Sequence, residues 1–210
     1  MGRSAPKLLV AAAYDRIAER LLGRLRETPP SGRKQAYLER LTEGLPDGGW
    51  VLDLGCGPGE QAAWLSERFR VFGVDISRSQ LAIAREQVPG AAFLLADMCS
   101  LQFKPASFDA IAAIYSIIHI PREEHEPLFG NLHRFLKPGG RLFAVLGAGA
   151  WEGTESNWLD LGADMFWSHF DAATGLRLLE RTGFNVVQSN IEPDSLGEGA
   201  HLFVIAKKPR

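Results

Sequence analysis

The spacing of apolar residues changes period along this chain. Near the N-terminus Tyr14, Ile17, Leu21, Leu22 and Leu25 recur at three- and four-residue intervals, which predicts an amphipathic helix. TPPSG (28–32) breaks that pattern, and helical spacing resumes from Arg33 to Glu43. Short apolar runs then alternate with helical stretches. Strands are predicted at 50–55 (WVLDLG), 70–75 (RVFGVD), 91–97 (AAFLLAD), 108–116 (FDAIAAIYS) and 140–147 (GRLFAVLG), with helices at 59–69, 78–87 and 122–136. Residues 148–170 follow no period. A helix over 171–183 and strands at 184–191 and 201–208 complete the pattern.

Several central strands are nearly continuous apolar runs, as a parallel sheet covered by helices on both faces requires. The last two strands are joined by only about nine residues, among them Pro193, Gly197 and Gly199. A parallel crossover needs a dozen or more, so the final strand is expected to run antiparallel to its predecessor. The expected architecture is α/β: a doubly wound sheet with one reversed strand at or near its edge.

The 210 residues are 46% hydrophobic, and no Pro/Gly/Ser-rich linker divides them, so one domain is expected. A net charge of −2 and the lack of a basic run argue against a nucleic-acid partner or an acidic membrane surface. Cys56 and Cys99 form neither a disulfide framework nor a metal-type spacing, which fits a reduced compartment. Arg3 and Lys7 before LLVAAAY faintly imitate a leader peptide, but the apolar stretch is short and runs into Asp15-Arg16. A cytoplasmic location is the expectation.

Chemistry enters at VLDLGCGPGE (51–60), where Gly55, Gly57 and Gly59 follow a buried strand at alternate positions. Such a turn lies at the carboxyl edge of the sheet, where open α/β folds bind ligands. Its glycines let the backbone bend and be approached closely, and the helix beginning near Gly59 points free N–H groups at an anion. Asp75 ends the second strand about twenty residues later, the place for an acid that accepts ribose hydroxyls. Asp97 and Met98 follow the third strand, where a carboxylate and a thioether would meet an adenine. Together these predict a nucleoside cofactor. The dinucleotide fingerprint is spaced one residue wider, which disfavours a nicotinamide oxidoreductase.

VLDLGCGPGE (51–60), GVDIS (73–77), LLADM (94–98), SFDAIAAIYSIIHI (107–120) and FLKPGGRLF (135–143) together resemble the class I S-adenosylmethionine-dependent methyltransferases, over residues 33–208. The resemblance implies a Rossmann-like seven-stranded sheet of order 3-2-1-4-5-7-6 with strand 7 antiparallel. It implies that Asp53 and Gly55-Cys56-Gly57 line the methionine part of the cofactor. Asp75 takes the ribose, Ile76 packs on the adenine, Asp97 and Met98 flank the base, and Ile114 and Tyr115 face the amine and sulfonium. Residues 1–32, with Tyr14 as a cofactor contact and candidate catalytic group, resemble the lid of small-molecule members; residues 33–210 form the methyltransferase domain. No N-P-P-Y or D-P-P-Y follows the fourth strand, where IYSIIH stands, so nucleic-acid bases are demoted as acceptors.

In-line methyl transfer needs water excluded and the nucleophile held on the S–CH3 axis. An aromatic pocket with a few polar groups suits that need. Residues 148–170 carry Trp151, Trp158, Met165, Phe166, Trp167 and Phe170, which predicts a cap over an apolar or aromatic acceptor. His119, His169 and His201 are each placed at the ligand edge and are expected to converge there as candidate bases, His119 first. A histidine-held metal is not expected. His125 and His133, on the 122–136 helix, are expected at the surface. The predicted function is methyl transfer to an oxygen or nitrogen of a small molecule by a monomer or homodimer. The alternatives are a protein that binds the cofactor without turnover, or an enzyme acting on RNA or protein.

Overall fold

A computed structural model of the chain describes residues 4–27, 32–194, 196–197 and 199–210. The predicted break at 28–32 therefore lies almost wholly outside the described residues, as does Arg3. Strands β1 (Trp50–Leu54), β2 (Arg70–Asp75), β3 (Ala92–Leu95), β4 (Phe108–Ala113), β5 (Leu136–Gly147), β8 (Asn185–Pro193) and β9 (Ala200–Lys207) form one sheet of order β3-β2-β1-β4-β5-β9-β8. β9 runs antiparallel to both β5 and β8, and the other pairings are parallel. This is the expected order, with two extra strands, β6 (Trp151–Glu155) and β7 (Met165–His169), counted between the fifth and sixth.

Burial explains the two sequence patterns. β1, β4 and β9 sit inside the sheet and are buried at nearly every position, while β3 and β8 at the edges alternate or are mostly exposed. Helices α5 (His125–Phe135) and α6 (Ala172–Arg181) pack one face through Phe129, Leu132, Phe135, Leu178 and Leu179. α2 (Gly32–Thr42) and α3 (Glu60–Ser66) cover the other through Tyr37, Leu41, Ala62 and Leu65. α4 (Arg78–Gln87) follows β2 and contacts β2 and β3.

Residues 148–170 depart from the expected irregular cap. β6 and β7 pair antiparallel as a separate two-stranded sheet, with Trp151 opposite His169 and Glu155 opposite Met165. Each strand is only five residues long, and the connection between them, SNWLDLGAD, mixes polar and apolar residues, so the alternation was too brief to stand out. Within the connection, Asn157, Leu159 and Asp160 all take left-handed backbone angles. That region is disfavoured for a residue like leucine, and neighbours must hold it there. Asn157 does so by donating to Asp160 Oδ1 and accepting the Gly162 N–H.

α1 (Ala5–Glu27) buries Val10, Ala13, Ile17 and Leu21 against Leu161, Ala163 and Met165 of this hairpin, forming a third apolar cluster. Two polar anchors fix it to the sheet side. Asp15 accepts from Ser77 Oγ at 2.6 Å and from the Ser79 N–H, and Lys7 reaches the segment after β3. No described helix is long and apolar enough to cross a membrane.

Candidate active site

A cavity of about 1100 Å³ opens at the carboxyl ends of β1, β2, β3 and β4, walled by α1 and the hairpin. The strand ends supply its floor. β1 runs into Gly55-Cys56-Gly57, and Gly57 (φ +52°) has nothing within 4 Å of where a Cβ would stand. Its N–H donates to Asp75 Oδ2 at 2.9 Å. Gly55 serves packing, since a Cβ there would lie 2.2 Å from that of Ser116, whose hydroxyl donates to the Leu54 carbonyl. Gly59 does not line the cavity; it backs onto Ala84 of α4.

Asp75 is buried and accepts two backbone N–H groups, from Gly57 and, at 2.8 Å, from Ser77. Burial raises its pKa and these N–H donors oppose the rise. A carboxylate has about four acceptor positions, so two remain for a ligand. Ile76, Met98, Ile114 and Tyr115 also line the cavity. Tyr115 carries a left-handed backbone (φ +52°), which ends β4 at Ala113, short of the predicted boundary, and turns the chain over the site.

Asp53 stands behind this floor and does not line the cavity. It is 1% exposed, and its Oδ2 has no hydrogen-bond partner among the described residues. Burial, reinforced by the nearby Asp75 charge, pushes its pKa up to about 7.

Asp97 lines the cavity and is committed twice: Oδ1 accepts the Cys99 N–H and Oδ2 accepts Lys7 Nζ at 2.8 Å. Lys7, 3% exposed, also donates to Glu124 at 2.5 Å. Burial alone would lower the Lys7 pKa; the two carboxylates reverse that and raise it. Sequence reading passed over Lys7. The available signal was a lysine in register with Val10, Tyr14, Ile17 and Leu21 on the apolar face of α1.

The opposite wall holds the aromatic and histidine groups. Tyr14 Oη lies 2.9 Å from His119 Nε2, and His119 Nδ1 lies 2.7 Å from the Phe166 carbonyl. A carbonyl only accepts, so Nδ1 carries the proton and the Tyr14 hydroxyl donates to Nε2. Burial lowers the His119 pKa to about 4 and raises that of Tyr14 well above its usual value. Trp167 lies against His119 with ring centroids 4.5 Å apart, and Trp158 meets both Trp167 and Tyr14 edge-on.

All three predicted histidines line the cavity, and His169 and His201 both depress His119 electrostatically. His169 donates through Nδ1 to the Gly149 carbonyl. Gly147 permits this approach: a Cβ there would lie 2.1 Å from the His169 ring. His201 packs edge-on to Tyr115. Its Nδ1 is 3.5 Å from Asp194, within ion-pair range but without hydrogen-bond geometry. No group of three or more metal-ligating side chains is found among the described residues.

The predicted acceptor residues divide. Trp151, Trp158 and Trp167 line the cavity. Met165 and Phe166 do not; they pack into the apolar cluster with α1. The surface expectation for His125 is corrected: it is 4% exposed and bonded to the Ile120 carbonyl, because its helix turns that face toward Phe129 and Phe170. His133 is half-buried against Phe184.

Residues 51–140 match the family described as a methyltransferase domain. Methyltransferase GfsG of Streptomyces halstedii is 41% identical over 118 residues, covering 50% of this chain and 42% of that protein. A trans-aconitate 2-methyltransferase of Variovorax paradoxus is 40% identical over 101 residues, covering 47% and 38%. The chain thus spans about two fifths of the length of these curated relatives. The fold is also that of magnesium protoporphyrin IX methyltransferase from Synechocystis, solved with bound S-adenosylhomocysteine: TM-score 0.71, 18% identity, 97% of this chain and 99% of that one covered.

Proposed function

We propose that this chain is a class I S-adenosylmethionine-dependent methyltransferase and that it transfers a methyl group to an oxygen or nitrogen of a small apolar or aromatic molecule. The observation that carries the reading is a single cavity with Asp75 and Asp97 on its floor and the Tyr14–His119 pair on its wall. The residues present fit the cofactor. Gly57 leaves open space at the loop, Asp75 keeps free acceptor positions, and Asp53 Oδ2 is a buried oxygen without a partner. When bound there, S-adenosylmethionine supplies an electrophilic methyl group on a sulfonium.

Asp75 holds the ribose, Met98 and Ile76 bound the adenine, and the Gly55–Gly57 backbone meets the methionine end. Asp53 acts from behind that loop as a nearby negative charge. α1 and the hairpin exclude water, and Trp158 and Trp167 present aromatic surface to the acceptor. His119 is neutral at pH 7 and takes a proton that the acceptor gives up through Tyr14 Oη. A base with a pKa near 4 does not ionise an aliphatic alcohol. The pair suits an amine, whose proton turns acidic on attack; a phenolate or carboxylate arrives already ionised and needs only to be positioned. Release of S-adenosylhomocysteine across a panel of phenols, carboxylates, amines, thiols and bulk RNA tests this, with and without divalent metal. Turnover on phenols, carboxylates or amines supports the reading; turnover on RNA alone overturns it.

A further inference from the structure

We propose that His201, with Asp194 behind it, is a second proton-accepting pair in the cavity, serving an acceptor hydroxyl of phenolic type that arrives protonated. This rests on the methyl-transfer reading above. His201 lies at the start of β9, is 9% exposed and lines the cavity, as does Asp194. Its Nδ1 is buried and has no hydrogen-bond partner among the described residues, and Asp194 Oδ2 stands 3.5 Å from it. A buried ring nitrogen is rarely left so, and this one faces a carboxylate across a gap that a small shift closes.

The strand pairing explains how the two meet. β8 and β9 run antiparallel, so the short connection between them brings residues 194 and 201 together at the cavity. Asp194 is held there by its own turn: Oδ1 accepts the Leu196 N–H at 2.9 Å, and its N–H donates to the Gly199 carbonyl at 3.1 Å. Oδ2 is the oxygen nearest His201. A carboxylate at that place favours the proton on Nδ1 and so leaves the lone pair on Nε2. Tyr115, after β4, packs edge-on to the ring with centroids 5.1 Å apart. Glu192, opposite His201 on β8, pairs instead with Arg33 at 3.6 Å.

His119 and His201 differ in what stands behind them. His119 has the Phe166 carbonyl at Nδ1 and the Tyr14 hydroxyl at Nε2, and burial lowers its pKa to about 4. Burial also lowers the His201 pKa; the Asp194 charge opposes that, and His169, on β7, adds to it. An imidazolium formed at His201 therefore meets a carboxylate, whereas one formed at His119 meets neutral dipoles. That difference suits a phenol. Its O–H gives the proton to Nε2 as the oxygen bonds to the methyl carbon, the S–CH3 bond breaks with its electron pair going to sulfur, and the imidazolium then releases the proton to solvent.

The test is steady-state methylation of phenol and of 4-nitrophenol, the first protonated and the second largely ionised at about pH 8, by wild type, His201→Gln and Asp194→Asn. His201→Gln should lower kcat on phenol about a hundredfold with KM within about threefold, and its loss on 4-nitrophenol should be at least about tenfold smaller. Asp194→Asn should lose about tenfold on phenol. It should also move the acid limb of the phenol kcat profile to lower pH, because the carboxylate that raises the His201 pKa is gone. Calorimetric binding of S-adenosylhomocysteine within about threefold of wild type shows that both variants fold. Equal losses on the two phenols, or an unmoved acid limb, overturn the assignment. Wild type that turns over neither phenol overturns it too, and the methyltransferase reading then rests on the amines and carboxylates of the wider panel. No binding of S-adenosylhomocysteine by wild type would instead overturn the cofactor reading, and this proposal with it.

Discussion

On the proposed cofactor side of the cavity, the two carboxylates are held by backbone hydrogen bonds at strand ends. Asp75 takes the N–H groups of Gly57 and Ser77, and Asp97 takes that of Cys99. On the acceptor side, Tyr14, His119, Trp158 and Trp167 come from α1, the turn after β4 and the β6–β7 hairpin, and they touch mainly one another. A site built on sheet ends is fixed by the fold itself. One built from side chains of distant segments changes whenever a loop changes. Under the proposed function, the donor groups Asp75 and Asp97 lie within residues 51–140, whereas the acceptor wall joins His119 from that match to Tyr14, Trp158 and Trp167 from outside it.

The sharpest way to break the comparison is Asp75→Ala. It removes the ribose acceptor and leaves the Gly57 and Ser77 N–H groups unpaired, so S-adenosylhomocysteine should bind roughly 100- to 1000-fold more weakly by calorimetry. Affinity within about threefold of wild type would contradict the floor assignment. His119→Ala probes the other wall. Turnover should fall about a hundredfold while the cofactor Kd moves by less than about threefold. Tyr14→Phe, which keeps the ring and loses the hydroxyl, should reduce turnover by about tenfold in a steady-state assay.

That asymmetry also explains which parts of the molecule were legible in the sequence. The reversed strand follows from the short connection before it, and Asp75, Asp97 and Met98 from their places just at or after strand ends, whereas the sheet order rested on the family resemblance. The convergence of three histidines was inferred from strand direction alone. The hairpin was not legible, since five-residue strands around a mixed nine-residue connection carry too little periodicity. Nor was Lys7, whose two carboxylate partners, Asp97 and Glu124, lie far away in sequence. Met165 and Phe166 looked like acceptor contacts by composition, yet at their places in β7 they pack into the cluster with α1.

Smaller effects sharpen the boundary between floor and wall. The folded-state pKa of Asp53, about 7, lies above its ordinary carboxyl value, so its burial costs stability that grows as pH rises between the two. Asp53→Asn should therefore match wild type near pH 4 and exceed it by about 1–3 kcal/mol at pH 8, measured by urea unfolding without ligand. A constant difference across that range would show that Asp53 titrates alike in the folded and unfolded chain, so that burial does not raise its pKa. Trp151, on the rim and 43% exposed, should matter least. Trp151→Ala should raise the acceptor KM about two- to fivefold and leave the cofactor Kd in place.

The most direct test of the central claim, that the floor of this cavity is built for S-adenosylmethionine, is calorimetric titration of the wild-type chain with S-adenosylhomocysteine and, separately, with NAD. Saturable one-to-one binding of the first and none of the second is the predicted result. Binding of NAD, or heat from neither ligand, would contradict it.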